Sequence, residues 1–167
     1  MVSDDSPEKK KPCRKRRARK VCPETICYVV EIKDWDWNFT FGVNTMKGRD
    51  DPYFEFRHLE LRGVLLRPSK IKAEEVEVTF LPERRLNESE RTHDQPQSVG
   101  SFQLHRGRLQ FIIPMPADAL SCVLPMMIAG RIRFVVMDGD RPRYGQGRIR
   151  MYRLVRNYEP EDMAPDA

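Results

Sequence analysis

One seven-residue stretch, Trp35-Asp-Trp-Asn-Phe-Thr-Phe41, constrains the fold more than any other part of this chain. Trp35, Trp37, Phe39 and Phe41 alternate with Asp36, Asn38 and Thr40. A period of two is the signature of a half-buried β-strand, whose successive side chains point to opposite faces. Similar alternation recurs in Phe54-Glu-Phe56, Leu59-Glu-Leu61 and Val76-Glu-Val-Thr-Phe80. Between Phe56 and Leu59 the phase slips by one residue, so a β-bulge near Arg57 and His58 is expected to keep both pairs facing the core.

Phe102-Gln-Leu104 and Leu109-Gln-Phe111 flank His105-Arg-Gly-Arg108, the pattern of a hairpin in which Gly107 supplies a positive φ. A second hairpin is expected from Arg131–Met137 and Arg148–Val155, joined by the Gly- and Pro-containing segment 138–147. Together these segments predict an all-β domain, an antiparallel β-sandwich or barrel of seven to nine short strands. Two segments break the pattern. Pro116–Leu124 places Leu120, Val123 and Leu124 at helical spacing, with Pro116 suited to a first turn and Pro125 to a stop. It predicts one short helix capping an open end of the sheet. Glu83–Gly100 is polar throughout and predicts a long surface loop.

The chain has 167 residues, with 30 Lys and Arg against 25 Asp and Glu, a net charge of +5. That excess is not spread evenly. Lys9, Lys10, Lys11, Arg14, Lys15, Arg16, Arg17, Arg19 and Lys20 crowd the first 24 residues, opposed only by Asp4, Asp5, Glu8 and Glu24, and the remainder is neutral. The organisation expected is a disordered basic arm over 1–24, an all-β domain over 25–157 and an acidic tail over 158–167.

Several function classes have no support in the sequence. No run approaches the ~18 consecutive apolar residues of a membrane-spanning helix. The segment after the basic arm is too short and too charged for a signal-peptide core, and the acids among residues 1–8 argue against a transit peptide. A cytoplasmic location is expected, or a nuclear one in a nucleated cell. Cys13, Cys22 and Cys27 have spacings that fit no common zinc module, and Cys122 reads as a small buried hydrophobe. Asp34 and Asp36 read as a solvated strand face and Asp138-Gly-Asp140 as a turn, so no metal site or cofactor is expected. Nucleophile-elbow, phosphate-loop, zinc-protease and dinucleotide motifs are missing, and His58, His93 and His105 sit in unrelated contexts, so no enzymatic activity is expected.

The arm is the strongest functional signal, because like charges gain nothing from folding and favour an anionic partner. Without an aromatic between Lys9 and Lys20, it is expected to contact nucleic-acid phosphates with no sequence preference. The alternative is a self-assembling structural or protein-interaction subunit whose arm neutralises an anionic partner. A secondary anion-binding candidate is the repeat Gly130-Arg-Ile-Arg133 and Gly147-Arg-Ile-Arg150. On a shared hairpin, Ile132 and Phe134 would face inward beside Ile149 and Met151, leaving Arg131, Arg133, Arg148 and Arg150 crowded on the outer face. Glutamates of neighbouring strands are the expected relief for that crowding. The stripe Trp35, Trp37, Phe39 and Phe41 fits a base- or sugar-stacking platform, but a domain this small is expected to keep its large aromatics inside.

Overall fold

In a computed structural model, residues 25–45, 51–89 and 96–159 are described; the basic arm, His93 and the acidic residues after Glu159 lie outside the described residues. Seven strands form one sheet: β1 Thr25–Val43, β2 Tyr53–Arg67, β3 Glu75–Glu83, β4 Gly100–His105, β5 Arg108–Pro116, β6 Phe134–Asp140 and β7 Gln146–Val155. Their order is β1-β2-β3-β5-β4-β7-β6, and the sheet closes where β6 pairs with β1 from Thr25↔Asp140 to Glu31↔Phe134. The fold is therefore a closed barrel rather than a sandwich.

Two expectations need correction. The sheet is not purely antiparallel, because β3 and β5 run parallel from Glu75↔Arg108 to Glu83↔Pro116. The nine residues of β5 match all nine of β3, whereas β4 has only six, so the parallel pairing is the longer of the two that β5 makes. Nor are all strands short: β1 has 19 residues and β2 has 15. The hairpin at His105–Arg108 forms as expected, with Gly107 at φ 81 and Arg106 at φ 49.

The barrel interior is apolar. Tyr28, Phe80, Phe102 and Phe111 are fully buried, and the rings of Tyr28, Phe102 and Phe111 meet one another at 5.1 to 5.6 Å. Such tilted and edge-on ring contacts add to the burial energy of the side chains. Among the described residues no polar or charged side chain is buried except the Tyr28 ring, whose hydroxyl donates to the Asp140 carbonyl at 2.7 Å. That bond ties the first strand to the end of β6.

The phase slip falls elsewhere than expected. Arg57 and His58 lie in a continuous ladder opposite Phe39 and Asn38; the shifts of register fall instead at Lys33 of β1, between Ile32↔Gly63 and Asp34↔Arg62, and at Leu66 of β2, between Val29↔Arg67 and Val30↔Leu65. One extra residue in β1 reverses which side chains face inward. Before the bulge Ile26, Tyr28, Val30 and Ile32 pack in the core; after it Trp35 and Trp37 do. Because β2 has no slip at 57–58, Phe54 and Phe56 project to solvent instead of the core.

A 3₁₀ turn over Ala117–Ala119 leads into helix α1, Leu120–Ile128, which buries Leu120 and Met127 against one end of the barrel. The cap was expected, but not its extent. Pro125 lies inside the helix; the carbonyl it leaves unbonded belongs to Ser121, which is exposed to water. The helix stops at Gly130, whose φ of 62 suits a glycine, with Arg131 N–H donating to Met126 O at 2.8 Å. Cys122 is exposed on this helix rather than buried. No helix among the described residues is long and apolar enough to cross a membrane.

Candidate nucleic-acid interface

The strand directions give the barrel two unlike ends. β1 begins at Thr25 beside Asp140, next to the β6–β7 turn. That turn lies against the β4–β5 turn, with Leu104 N–H donating to Gly145 O at 2.6 Å. The β4–β5 turn in its place touches the β2–β3 connection, with Glu74 N–H donating to Gly107 O at 2.7 Å. Three connections are thus held together around the root of the arm. The β2–β3 connection carries Lys70 and Lys72, the β4–β5 turn Arg106, and the β6–β7 turn Arg141 and Arg143.

Salt bridges neutralise part of this end. Arg108 reaches Glu77 at 2.7 Å and Glu75 at 3.7 Å. Burial alone would raise the Glu77 pKa, but hydrogen bonds from Arg108, Gln110 and Thr79, with the Arg108 charge, hold it below its ordinary value. Lys70, Lys72, Arg106 and Arg143 have no carboxylate partner among the described residues. At the tip of the β6–β7 turn, Tyr144 adopts a φ of 53 and is fully exposed beside Arg143. A ring held out in this way offers an open face for stacking.

The expected arginine ribbon does not form. Phe134 pairs with Val155 and Gly139 with Ile149, so the two Gly-Arg-Ile-Arg copies lie at opposite ends of the hairpin. Arg148 and Arg150 stand near the arm root, where Arg148 donates to Gln97 at 2.5 Å and Arg150 pairs with Asp140 at 2.8 Å. Arg131 and Arg133 precede β6 at the far end, with the Arg133 guanidinium 5.7 Å from the Phe134 ring centre. Ile132 and Ile149 are buried as expected, but Met151 is exposed and Phe134 packs outside the barrel against Tyr158. The register was illegible because Phe134-Val-Val-Met137 is apolar on both faces and offers no alternation to read. The glutamates find other arginines: Glu55 pairs with Arg57, Glu60 with Arg62, and Glu77 with Arg108.

The nine arm residues Lys9, Lys10, Lys11, Arg14, Lys15, Arg16, Arg17, Arg19 and Lys20 lie outside the described residues. Of the cysteines expected not to hold zinc, only Cys27 is described. It packs on the outer face of β1 with Val29 and Val136, and burial, with the Asp138 charge and hydrogen bond, pushes its thiol up to about 11. No group of three or more metal-ligating side chains occurs among the described residues.

The aromatic stripe divides. Trp35 and Trp37 pack on the core, while Phe39 and Phe41 are 55% and 60% exposed on a hairpin that runs past the end of the barrel opposite the arm root. A groove of about 920 Å³ lies between this hairpin and the barrel, lined by Phe41, Tyr53, Phe54, Arg57, Pro82 and Arg84 among others. Two carboxylates line it, Asp51 and Glu55, and Glu55 is engaged by Arg57 and, at 4.0 Å, by Arg84.

The turn cations were missed because only the strand order brings residues near 70, 106 and 142 together. The turn signals themselves, Arg106-Gly and Arg141-Pro-Arg-Tyr-Gly145, were legible. No protein-family model, no curated protein and no solved structure matches this chain.

Proposed function

We propose that this protein is a nonenzymatic nucleic-acid-binding module, in which residues 9–20 contact phosphates without sequence preference and the barrel turns at the arm root extend that contact. The observation that carries the reading is the juxtaposition at Thr25: an arm with nine cations in twelve residues joins the barrel beside connections bearing Lys70, Lys72, Arg106 and Arg143. A cationic segment continuous with a cationic surface gains more from a polyanion than from a point ligand, because each neutralised phosphate releases counterions. Tyr144 adds a stacking face at the same end, which favours single-stranded segments whose bases are accessible.

The test is salt-dependent binding to DNA duplexes of unrelated sequence. If about six arm cations engage phosphates, log K falls against log salt with a slope near −5, equally for each sequence. Deleting residues 1–24 removes most of that slope and leaves a residue attributable to the turn cations. Binding that survives the deletion with its salt dependence intact overturns the proposal.

A further inference from the structure

The hairpin end carries a set of exposed aromatic side chains that nucleic-acid binding leaves unused. β1 pairs with β6 only as far as Glu31, followed by one hydrogen bond from Ile32 N–H to Arg133 O at 2.9 Å. From Lys33 to Val43 the outer edge of β1 meets no described strand, while its inner edge is paired with β2. Along this stretch Phe39 is 55% exposed, Phe41 60%, Val43 64% and the facing Tyr53 53%. The side chains are ordered against one another: Phe41 stacks on Tyr53 at 5.5 Å, and the Arg57 guanidinium lies 5.7 Å from the Phe39 ring centre. A long apolar strand edge is a template for another strand, and natural edges are usually protected by charge, proline or a bulge. Between Trp35 and Val43 the only charged residue is Asp36, and no proline or bulge intervenes.

We propose that the chain forms a two-fold symmetric dimer in which the free β1 edges of two copies pair antiparallel about Asn38. The sequence of the edge is complementary to itself in that register. Trp37 falls opposite Phe39 of the second copy and Trp35 opposite Phe41, all on one face. On the other face Asp36 falls opposite Thr40 and Asp34 opposite Gly42, so no carboxylate meets another. Moving the axis to Asp36 sets that residue against its own copy, and moving it to Trp35 sets Asp34 against Asp36; like charges directly opposed oppose pairing.

The size also fits. Phe39, Phe41, Val43 and Tyr53 together leave on the order of 400 Å² exposed per copy. A standard interface buries about 800 Å² per partner, somewhat more than half of it non-polar. The edge carries Asp34 and Asp36 and, past its bulge at Lys33, no cation, so it is ill suited to the polyanion assigned to the opposite end.

The full chain is measured by light scattering at tens of micromolar, free of nucleic acid, beside Asn38→Lys, Asn38→Glu and the deletion of residues 1–24. Asn38 is exposed, so both substitutions leave the barrel intact, as circular dichroism checks. The wild-type chain and the deletion are expected to be dimers. Each Asn38 variant sets like charges on the axis and dissociates at least about tenfold more readily, while an equimolar mixture of the two regains the dimer. A wild-type monomer, a dimer indifferent to both substitutions, a mixture that stays monomeric, or a dimer lost with the arm each overturns the inference. None of these outcomes bears on the salt slope of DNA binding, so the two proposals fail separately.

Discussion

Gly63 is the position where a single methyl group reports most directly on how the barrel is built. It pairs with Ile32 on one side and Val76 on the other, immediately before the bulge at Lys33. A Cβ at this position would lie 2.1 Å from the Glu31 carbonyl oxygen and 2.9 Å from its carbon, with Val30 Cγ1 at 3.0 Å. An ordinary contact begins near 3.4 Å. The two backbones must therefore part by more than an ångström in Gly63→Ala, and no rotamer change relieves a clash with main chain. Overpacking of this kind costs about 1–3 kcal/mol and sometimes more, and the reduced freedom of the unfolded alanine chain offsets only about 0.4–1 kcal/mol. The net expectation is a loss of about 1–2 kcal/mol, or a fall in Tm of roughly 3–10 °C for a domain of this size. Gly130→Ala is the control. Its Cβ would meet nothing within 4 Å, so only the left-handed backbone, φ 62, is penalised, at about 1 kcal/mol. Urea denaturation of both variants measures the two costs. A Gly63→Ala protein as stable as wild type, or no less stable than Gly130→Ala, refutes the close approach of β1 and β2.

Two further predictions concern the arm-bearing end. Tyr28→Phe keeps the buried ring but removes the bond to the Asp140 carbonyl, and is expected to cost about 1 kcal/mol, seen as a lower urea midpoint at unchanged slope. In the wild-type protein burial, with the Asp140 charge, holds the Tyr28 hydroxyl protonated well above the ordinary tyrosine range, so ultraviolet titrations of folded wild type and Tyr28→Phe should show the same number of tyrosines ionising in the ordinary range, and one more in wild type would refute the burial of this hydroxyl. Arg108→Met removes the main partner of Glu77. Because the folded pKa of Glu77 is depressed, its contribution is fully present above the unfolded value of about 4.3 and is lost as pH falls through the folded one. The variant should therefore be less stable than wild type at pH 7, with the gap narrowing as acid protonates Glu77; a gap independent of pH refutes the pairing.

The alternation at Trp35–Phe41 and Val76–Phe80 was enough to read an all-β chain, because burial on one face leaves a period of two in the sequence. The position of the bulge was not readable. Any single inserted residue reconciles Phe56 with Leu59, and only the pairing shows that β1 takes the insertion at Lys33 while Phe54 and Phe56 stay outside. Exact repetition misled in a different way: Gly-Arg-Ile-Arg at 130–133 precedes a strand and at 147–150 lies within one, so identical residues serve unlike geometries. Pro125 reads as a helix stop because proline denies a hydrogen bond, yet the residue whose carbonyl it denies, Ser121, is exposed, so the helix continues past the proline. The charge excess of the arm was plain from order alone. Its continuation onto the barrel was not, since the parallel pairing of β3 with β5 decides which turns meet.

Closure of the barrel through Thr25 and Asp140 also sets a clock on biosynthesis. β1 leaves the ribosome well before β6, its partner along one edge. Until β6 is available, β1 and β2 wait as a nascent meander whose inner face, including Tyr28, Val30 and Leu61, remains uncovered. Domains dominated by such distant pairings fold on the slow millisecond-to-second scale, and unpaired intermediates of this kind are prone to aggregate. Co-expressed holdase chaperones should therefore raise the soluble yield of this chain without changing its stability once folded.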